Sequence, residues 1–265
     1  MGELARSLTG SSSLTLVGLA TNGAGSMGEL ARSLTGSSSL TLVGLAANGA
    51  GIDGERTRSL PVDDGTRRAA GTGGTLATLP ATMARPLTLL LVRHGQSEWN
   101  AAGLMQGQTA HVPLTELGHA QAAGAARELA ELHPGALVSS DLRRAVQTAE
   151  HCARATGLPV TTTPALREQG YGVLEGRPSR ELWGVVDWTD PHWAAQGGES
   201  LAELHARVGA YLEQLCADPP AEVVALVTHG DTIRAALAVA AGLGPDAMPA
   251  VTPHNGTVTA LELVL

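Results

Sequence analysis

Two short, predominantly apolar runs in this 265-residue chain end in the same pair of residues, a histidine followed by a glycine. The first run, Leu87 to Arg93, is followed by His94, and the second, Val223 to Thr228, by His229. Short apolar runs of this kind are typical of strands buried in a parallel sheet. Because ligands in such sheets bind beyond the carboxyl ends of the strands, the pattern predicts that the two histidines face each other across one site.

The rest of the chain after residue 86 alternates between strand-like and helix-like segments. Further strands are predicted at Ala136 to Ser140, Val160 to Leu166 and Thr257 to Val264. Capping residues and Ala- and Leu-rich composition predict helices at Thr115 to His133, Asp141 to Thr156, Glu199 to Ala217 and Asp231 to Ala241. This alternation predicts an α/β fold, a mostly parallel central sheet with helices on both faces, in three layers.

Residues 1–82 differ in character from the rest. Residues 1–25 recur at 27–51 with one change, Thr21 to Ala47. Two copies of a repeat are too few to bury a core, so we expect a flexible segment arising from an artefact or a misassigned start. Met83 is then the natural first residue, and residues 83–265 form the domain. A signal peptide over the apolar run Leu14 to Ala20 is the alternative, but the region before it is barely basic and the run is repeated downstream.

Composition limits the partners that the chain can bind. The net charge is −8, and all 17 basic residues are Arg. An acidic surface is unsuited to nucleic acid, and the lack of Lys excludes a Walker-type phosphate loop. No apolar run approaches the ~20 residues that cross a membrane. With only two cysteines, Cys152 and Cys216, we expect a soluble protein of the reducing cytoplasm that binds neither nucleic acid nor membrane.

Phosphate chemistry explains why a site would combine these residue types. A neutral imidazole can attack phosphorus and form a covalent intermediate, and arginines can hold the charged phosphoryl oxygens. Arg93 precedes His94, and either Arg143 or Arg144 could point inward from the helix after Ser140. The sequence has no His-Glu-x-x-His or Cys-x-x-Cys metal motif, so the positive charge is expected to come from arginines and helix N-termini.

Six sequence blocks resemble those of the histidine phosphatase superfamily, of the phosphoglycerate-mutase-like kind, in the family's order. They are LVRHGQSEWN (Leu91 to Asn100), MQG…PLTELG (Met105 to Gly118), SSDLRRAVQTA (Ser139 to Ala149), LRE…YGVLEG (Leu166 to Gly176), GGES (Gly197 to Ser200) and VTHGDTIR (Val227 to Arg234). The resemblance covers Leu87 to Leu265 and implies the same fold and chemistry.

The resemblance also implies a role for each matched residue. His94 matches the nucleophile that becomes phosphohistidine, and Glu168 matches the general acid that protonates the leaving oxygen and then activates water. The residues that match phosphate-binding or pocket positions are His229, Arg93, Arg144, Asn100, Gln106 and Gly107. Two positions depart from the family pattern: Gly170 stands where many relatives have His, and His111 where they often have Asp.

Within the superfamily, the phosphatase branch is the better match. Mutases carry a longer insertion between the acid and the second histidine and a C-terminal tail over the site. Here 61 positions separate Glu168 from His229, and the chain stops at Leu265. We expect a phosphomonoesterase without metal or other cofactor, acting on a small phosphorylated metabolite, and a homodimer. A cofactor-dependent phosphoglycerate mutase and a non-catalytic phosphate-binding regulatory protein are the alternatives. The loop between Tyr171 and Gly198, with its arginines and tryptophans, is expected to select the substrate.

Overall fold

The computed structural model describes residues 86–182, 184–188, 190–250 and 252–264, together with the backbone of 15–20 and 41–46. The strands Thr15–Ala20 and Thr41–Ala46 pair in parallel, and residues 16–18 also run parallel to residues 260–262. The remaining predictions for residues 1–82, and for Met83 as the first residue, lie outside the described residues. The domain boundary therefore stays a prediction, and the helices and strands given below lie within residues 86–264.

Within residues 86–264, five strands form the centre of the sheet. Its strands in chain order are β1 (Pro86–Arg93), β2 (Ala136–Ser140), β3 (Val160–Thr163), β4 (Val223–Thr228) and β5 (Val258–Val264). They lie in the order β5-β1-β4-β2-β3, and β5 runs antiparallel to β1 while the other neighbours are parallel. The prediction of a mostly parallel sheet is confirmed.

Helices cover both faces of the sheet. They are α1 (Glu98–Ala102), α2 (Glu116–Glu131), α3 (Arg143–Thr156), α4 (Ser179–Leu182), α5 (Leu201–Ala217) and α6 (Gly230–Ala240). In β1, Leu89 and Leu91 pack into the core of α5 and α6, whereas Leu90 and Val92 pack into the core of α2 and α3. Each such buried side chain stabilises the fold by about 1.5–3 kcal/mol. The three-layer α/β/α fold is confirmed. No helix in the described part of the chain is long and apolar enough to span a bilayer.

Some predicted boundaries were wrong for local reasons. The strand predicted over Val160 to Leu166 ends at Thr163, because Pro164 has no N–H to donate and begins a 3₁₀ turn capped by the Thr163 side chain. The helix predicted from Asp141 begins at Arg143, since the Asp141 carboxylate instead binds the Arg167 guanidinium at 2.5 Å. The short helix α1 was not predicted, although a Ser97–Asn100 capping box begins it.

Candidate active site

The carboxyl ends of β1 and β4 bring His94 and His229 together. The backbone N–H of His94 donates to the carbonyl of Thr228 at 3.0 Å, which continues the pairing of the two strands past their ends. The two imidazole rings lie with their centroids 5.0 Å apart. Both side chains are buried, with 2% and 0% of their surfaces exposed. The structure therefore places the two histidines in one water-shielded cluster at the edge of the sheet.

His94 is held in the form that a nucleophile requires. Its Nδ1 lies 2.7 Å from the carbonyl oxygen of Gly95. Because a carbonyl can only accept, Nδ1 carries the ring proton and Nε2 keeps its lone pair. Burial, together with the positive charges of Arg144 and Arg93, holds the pKa of His94 well below its usual range. The ring is thus neutral at pH 7 and can attack through Nε2.

Two arginines, the buried Arg144 and the half-buried Arg93, supply the positive charge of the cluster. Arg144 is fully buried, and its guanidinium donates to the carbonyls of Gly107 at 2.7 Å and Thr109 at 3.0 Å. Arg93 donates to the carbonyl of Pro253. Burial lowers the pKa of Arg144 to about 10, so it stays protonated at neutral pH. In the described residues the acceptors of both guanidinium groups are backbone carbonyls, which carry no full charge, so both arginines keep positive charge to offer an anionic ligand.

Three buried side-chain atoms in the described residues have no hydrogen-bond partner: Nε of Arg93, Nε of Arg144 and Nδ1 of His229. A buried polar group without a partner costs about 1–3 kcal/mol. All three atoms belong to the same cluster. A phosphoryl group, with several acceptor oxygens and negative charge, is the kind of ligand that satisfies such donors.

Glu168 is the carboxyl of this cluster. Its Oε1 accepts hydrogen bonds from the backbone N–H groups of Asp231 at 3.1 Å and Thr232 at 3.3 Å, in the first turn of α6. Burial, and then the nearby Asp231 carboxylate, raises the pKa of Glu168 to about 7, although the two arginines act to lower it. A carboxyl with a pKa near neutrality can both donate and accept a proton during turnover.

The other predicted site residues hold the loops around the cluster. Asn100 Oδ1 accepts from the backbone N–H of Ser97 at 3.1 Å, and Gln106 Oε1 accepts from the Ser97 hydroxyl at 2.6 Å. Gly107 contributes its carbonyl to Arg144 and has a φ of 50°. A Cβ at Gly107 would lie 2.1 Å from Glu175 Oε1, so glycine is needed there.

Two residues of the site were missed by the sequence analysis. The Asn255 amide donates to the His94 carbonyl at 3.0 Å and to Asn100 Oδ1 at 3.3 Å. No sequence signal marked it, because it lies far from His94 along the chain. The Ser140 hydroxyl lies 2.8 Å from His229 Nε2, and its place at the end of β2 was a usable signal.

Three aromatic residues of the loop between Tyr171 and Gly198 contact one another in a row. The Tyr171 hydroxyl donates to Asp231 Oδ2 at 2.6 Å, and its ring meets Trp188 edge to face, 6.0 Å between centroids. Trp188 meets Trp193 in the same way at 5.8 Å. Arg177 is exposed and forms a 3.8 Å ion pair with Glu181. We call Tyr171, Trp188 and Trp193 the aromatic ladder. Trp183 lies outside the described residues.

Neither departure from the family pattern disturbs the cluster. A Cβ at Gly170 would meet Gln108 and Glu199 at an ordinary 3.6 Å, so a side chain there is not excluded by space. His111 is exposed, and its ring lies 6.1 Å from that of Trp99. Within the described residues, no group of three or more His, Cys, Asp or Glu side chains could hold a metal ion.

Arg144 gives the first testable prediction. Arg144→Ala is expected to lower kcat/KM for a phosphate ester about 10²- to 10³-fold, the usual effect of removing a donor from a charge-stabilising site. Arg144→Lys should restore little, since an ammonium lacks the planar fork of donors. Arg143→Ala is the matched control, because Arg143 is exposed and its side chain donates to the carbonyl of His111 rather than to the cluster. Steady-state kinetics would contradict this role if Arg144→Ala stayed within about twofold of the parent protein.

Known proteins are similar to this chain over most of its described part. The model of the family described as histidine phosphatase superfamily (branch 1) matches residues 89–264. Fructose-2,6-bisphosphatase TIGAR B of Danio rerio is 34% identical over 63% of this chain and 67% of its own length. The probable phosphoglycerate mutase GpmB of Yersinia enterocolitica is 38% identical over 66% of this chain and 85% of its own length. The solved structure of a mycobacterial glucosyl-3-phosphoglycerate phosphatase in complex with VO3 is 36% identical in sequence. The match covers 67% of this chain and 90% of that chain, with a TM-score of 0.60.

Proposed function

Because the chain belongs to the histidine phosphatase superfamily and is a phosphatase, we propose that it hydrolyses small phosphorylated metabolites through a phosphohistidine on His94. The observation that carries this proposal is the neutral, buried His94 beside three unpaired buried atoms, two of them on arginines. Together they provide a nucleophile and a phosphate cradle without a metal. The cytoplasmic location, the homodimer and the absence of nucleic-acid and membrane partners stay predictions.

The proposed reaction has two steps that use the same residues. In the first, His94 Nε2 attacks phosphorus, the bond from phosphorus to the ester oxygen breaks, and Glu168 gives its proton to that oxygen. In the second, the Glu168 carboxylate takes a proton from water, the water oxygen attacks phosphorus, and the phosphorus–nitrogen bond breaks. The products are the alcohol and inorganic phosphate, with neutral His94 and protonated Glu168 restored.

The aromatic ladder supports a substrate with a sugar or aromatic leaving group. It begins at Tyr171, whose hydroxyl binds Asp231 beside Glu168, and it continues through half-buried Trp188 and Trp193. Aromatic rings of this kind offer an apolar face and a polar edge. Two of the similar proteins are named for phosphorylated sugar derivatives, a fructose bisphosphate and a glucosyl phosphoglycerate. We therefore place phosphorylated sugars and sugar acids first in the substrate panel.

The test is phosphate release in the presence of EDTA, from p-nitrophenyl phosphate and a panel of phosphorylated sugars, sugar acids and 3-phosphoglycerate. Turnover that survives EDTA supports the proposal, and the best substrate defines the class. The mutase alternative rests on the relative named as a probable phosphoglycerate mutase. Bisphosphoglycerate-stimulated interconversion of 2- and 3-phosphoglycerate would establish it instead. No release and no labelling of His94 would support the non-catalytic alternative.

The titration of the site predicts a bell-shaped pH profile of kcat/KM. Glu168 must be protonated for the first step, so activity falls above its pKa of about 7. His94 must be neutral, so activity falls only below its depressed pKa, well under the usual value for histidine. The pH profile of kcat/KM is measured and corrected for ionisation of the ester. Its alkaline limb should disappear in Glu168→Gln. An alkaline limb retained in that variant would show that another group is the acid.

A further inference from the structure

The loop that carries Glu168 is held by an ion pair that takes no part in the chemistry. Glu199 belongs to the GGES block, which contributes neither the nucleophile nor a residue of the phosphate cradle. Arg207 lies eight residues further along the chain, in α5. We propose that Glu199 and Arg207 are positioning residues that fix the acid–base carboxyl of Glu168. The proposal rests on the proposed function, because it assigns the pair to the proton-transfer step of that reaction.

The pair has the geometry of a strong, partly buried interaction. Arg207 Nε donates to Glu199 Oε1 at 2.8 Å, and Arg207 Nη2 donates to Glu199 Oε2 at 2.7 Å. Only 22% of the arginine side chain and 16% of the glutamate side chain are exposed. A bidentate arginine–carboxylate pair is fixed in direction as well as distance. The pair can therefore act as a rigid support for the chain around it.

Arg207 holds the first half of the loop through backbone carbonyls. Its Nη1 donates to Ala165 at 2.8 Å and to Arg167 at 3.0 Å, and its Nη2 donates to Glu168 at 3.2 Å. These carbonyls follow the end of β3. The Arg167 carbonyl also accepts from the Thr232 hydroxyl and the Glu168 carbonyl from the Gln108 amide, but Arg207 is the side chain that joins all three.

Glu199 holds the second half of the same loop. Its backbone N–H donates to the Gly170 carbonyl at 2.7 Å, and its Oε2 accepts from the Gly170 N–H at 3.3 Å. Its own carbonyl accepts from the Gln169 amide at 2.8 Å. With Arg207, it fixes the backbone on both sides of Glu168.

This support matters because the Glu168 carboxyl must meet α6 from the loop. Its Oε1 accepts the N–H groups of Asp231 and Thr232 of α6 at 3.1 and 3.3 Å and that of Gln169 in the loop at 3.2 Å, so its position depends on where the loop lies. A misplacement of about 1 Å in a catalytic group can cost about 10²-fold in rate. Neither Glu199 nor Arg207 is hydrogen-bonded to the side chains of His94, His229, Arg93 or Arg144 in the described residues. The charge of Arg207 helps to lower the pKa of His229, and Glu199→Gln leaves that charge in place. Weakening the pair should therefore impair proton transfer and spare the phosphate cradle.

The test compares two esters that differ in their need for an acid. Glu199→Gln keeps the shape of the side chain and removes its charge. Its kcat/KM, which reports the first phosphoryl transfer, should fall about 10- to 100-fold for an alkyl phosphate from the panel. For 2,4-dinitrophenyl phosphate, whose leaving group needs no proton, it should change less than about twofold. Glu213→Gln, the same substitution at an exposed position of α5, should leave both values unchanged.

Three measurements make the result unambiguous. Thermal unfolding shows whether the variant is folded, and Arg207→Lys supplies a second weakening of the pair if Glu199→Gln does not fold. Equal losses on the two esters, or no loss on the alkyl ester, would overturn the positioning role. His94→Ala is run beside them. If that variant turns over as fast as the parent protein, the proposed function itself falls, which is a different result from a failure of the pair alone.

Discussion

His94→Ala is expected to lower turnover of every active phosphate ester by about 10⁴-fold or more, as removal of a covalent nucleophile does in other enzymes. The variant keeps Arg93, Arg144 and His229, so it should still bind inorganic phosphate. Rate and phosphate affinity measured together would separate the loss of the nucleophile from a loss of the cradle.

The matched control for that variant is His119→Ala. His119 contacts His151 at 3.1 Å between helices α2 and α3 and is not hydrogen-bonded to the cluster in the described residues. Its removal should leave turnover within about twofold, as expected of substitutions away from a functional site. Residual activity in His94→Ala above about one tenth of the parent value would show that another group forms the intermediate.

Glu168→Gln is expected to lower kcat/KM for alkyl phosphates about 10²- to 10⁴-fold, the usual contribution of a general acid. With 2,4-dinitrophenyl phosphate the first step needs no proton, so His94 should still be phosphorylated. The second step needs a base to activate water, which glutamine cannot supply. Rapid mixing should therefore show a burst of one dinitrophenolate per chain followed by slow turnover.

The outcome that contradicts this role is also specific. Equal losses on alkyl and activated esters, without a burst, would mean that Glu168 does not transfer the proton. Glu213→Gln provides the control, because Glu213 is exposed in α5. This variant should show the same time course as the parent protein.

The sequence predicted the fold and the two histidines because both depend on local patterns. Apolar runs with His-Gly at their ends predicted the strands β1 and β4 and a site shared by their histidines. In the structure the two strands pair in parallel, which brings His94 and His229 together. Thr115 and Ser200 cap α2 and α5, so the starts of those helices fell within two residues of the prediction.

The contacts between distant segments could not be predicted in this way. Asn255 reaches the His94 carbonyl, and Arg207 reaches the carbonyls of the Glu168 loop, only after the sheet and helices are packed. No periodicity or capping signal marks either side chain. The same limit applies to the raised pKa of Glu168, because burial causes it and the sequence does not give burial at a single loop residue.

The most direct test of the account is to trap the intermediate. Glu168→Gln is mixed with 2,4-dinitrophenyl phosphate, quenched in alkali, where phosphohistidine survives, and digested for peptide mass analysis. We expect one phosphoryl group per chain, located on the peptide that contains His94. It should be absent from a chain that carries His94→Ala in addition to Glu168→Gln. Phosphate found on another residue, or ester hydrolysis with no phosphorylated peptide at any time, would contradict it.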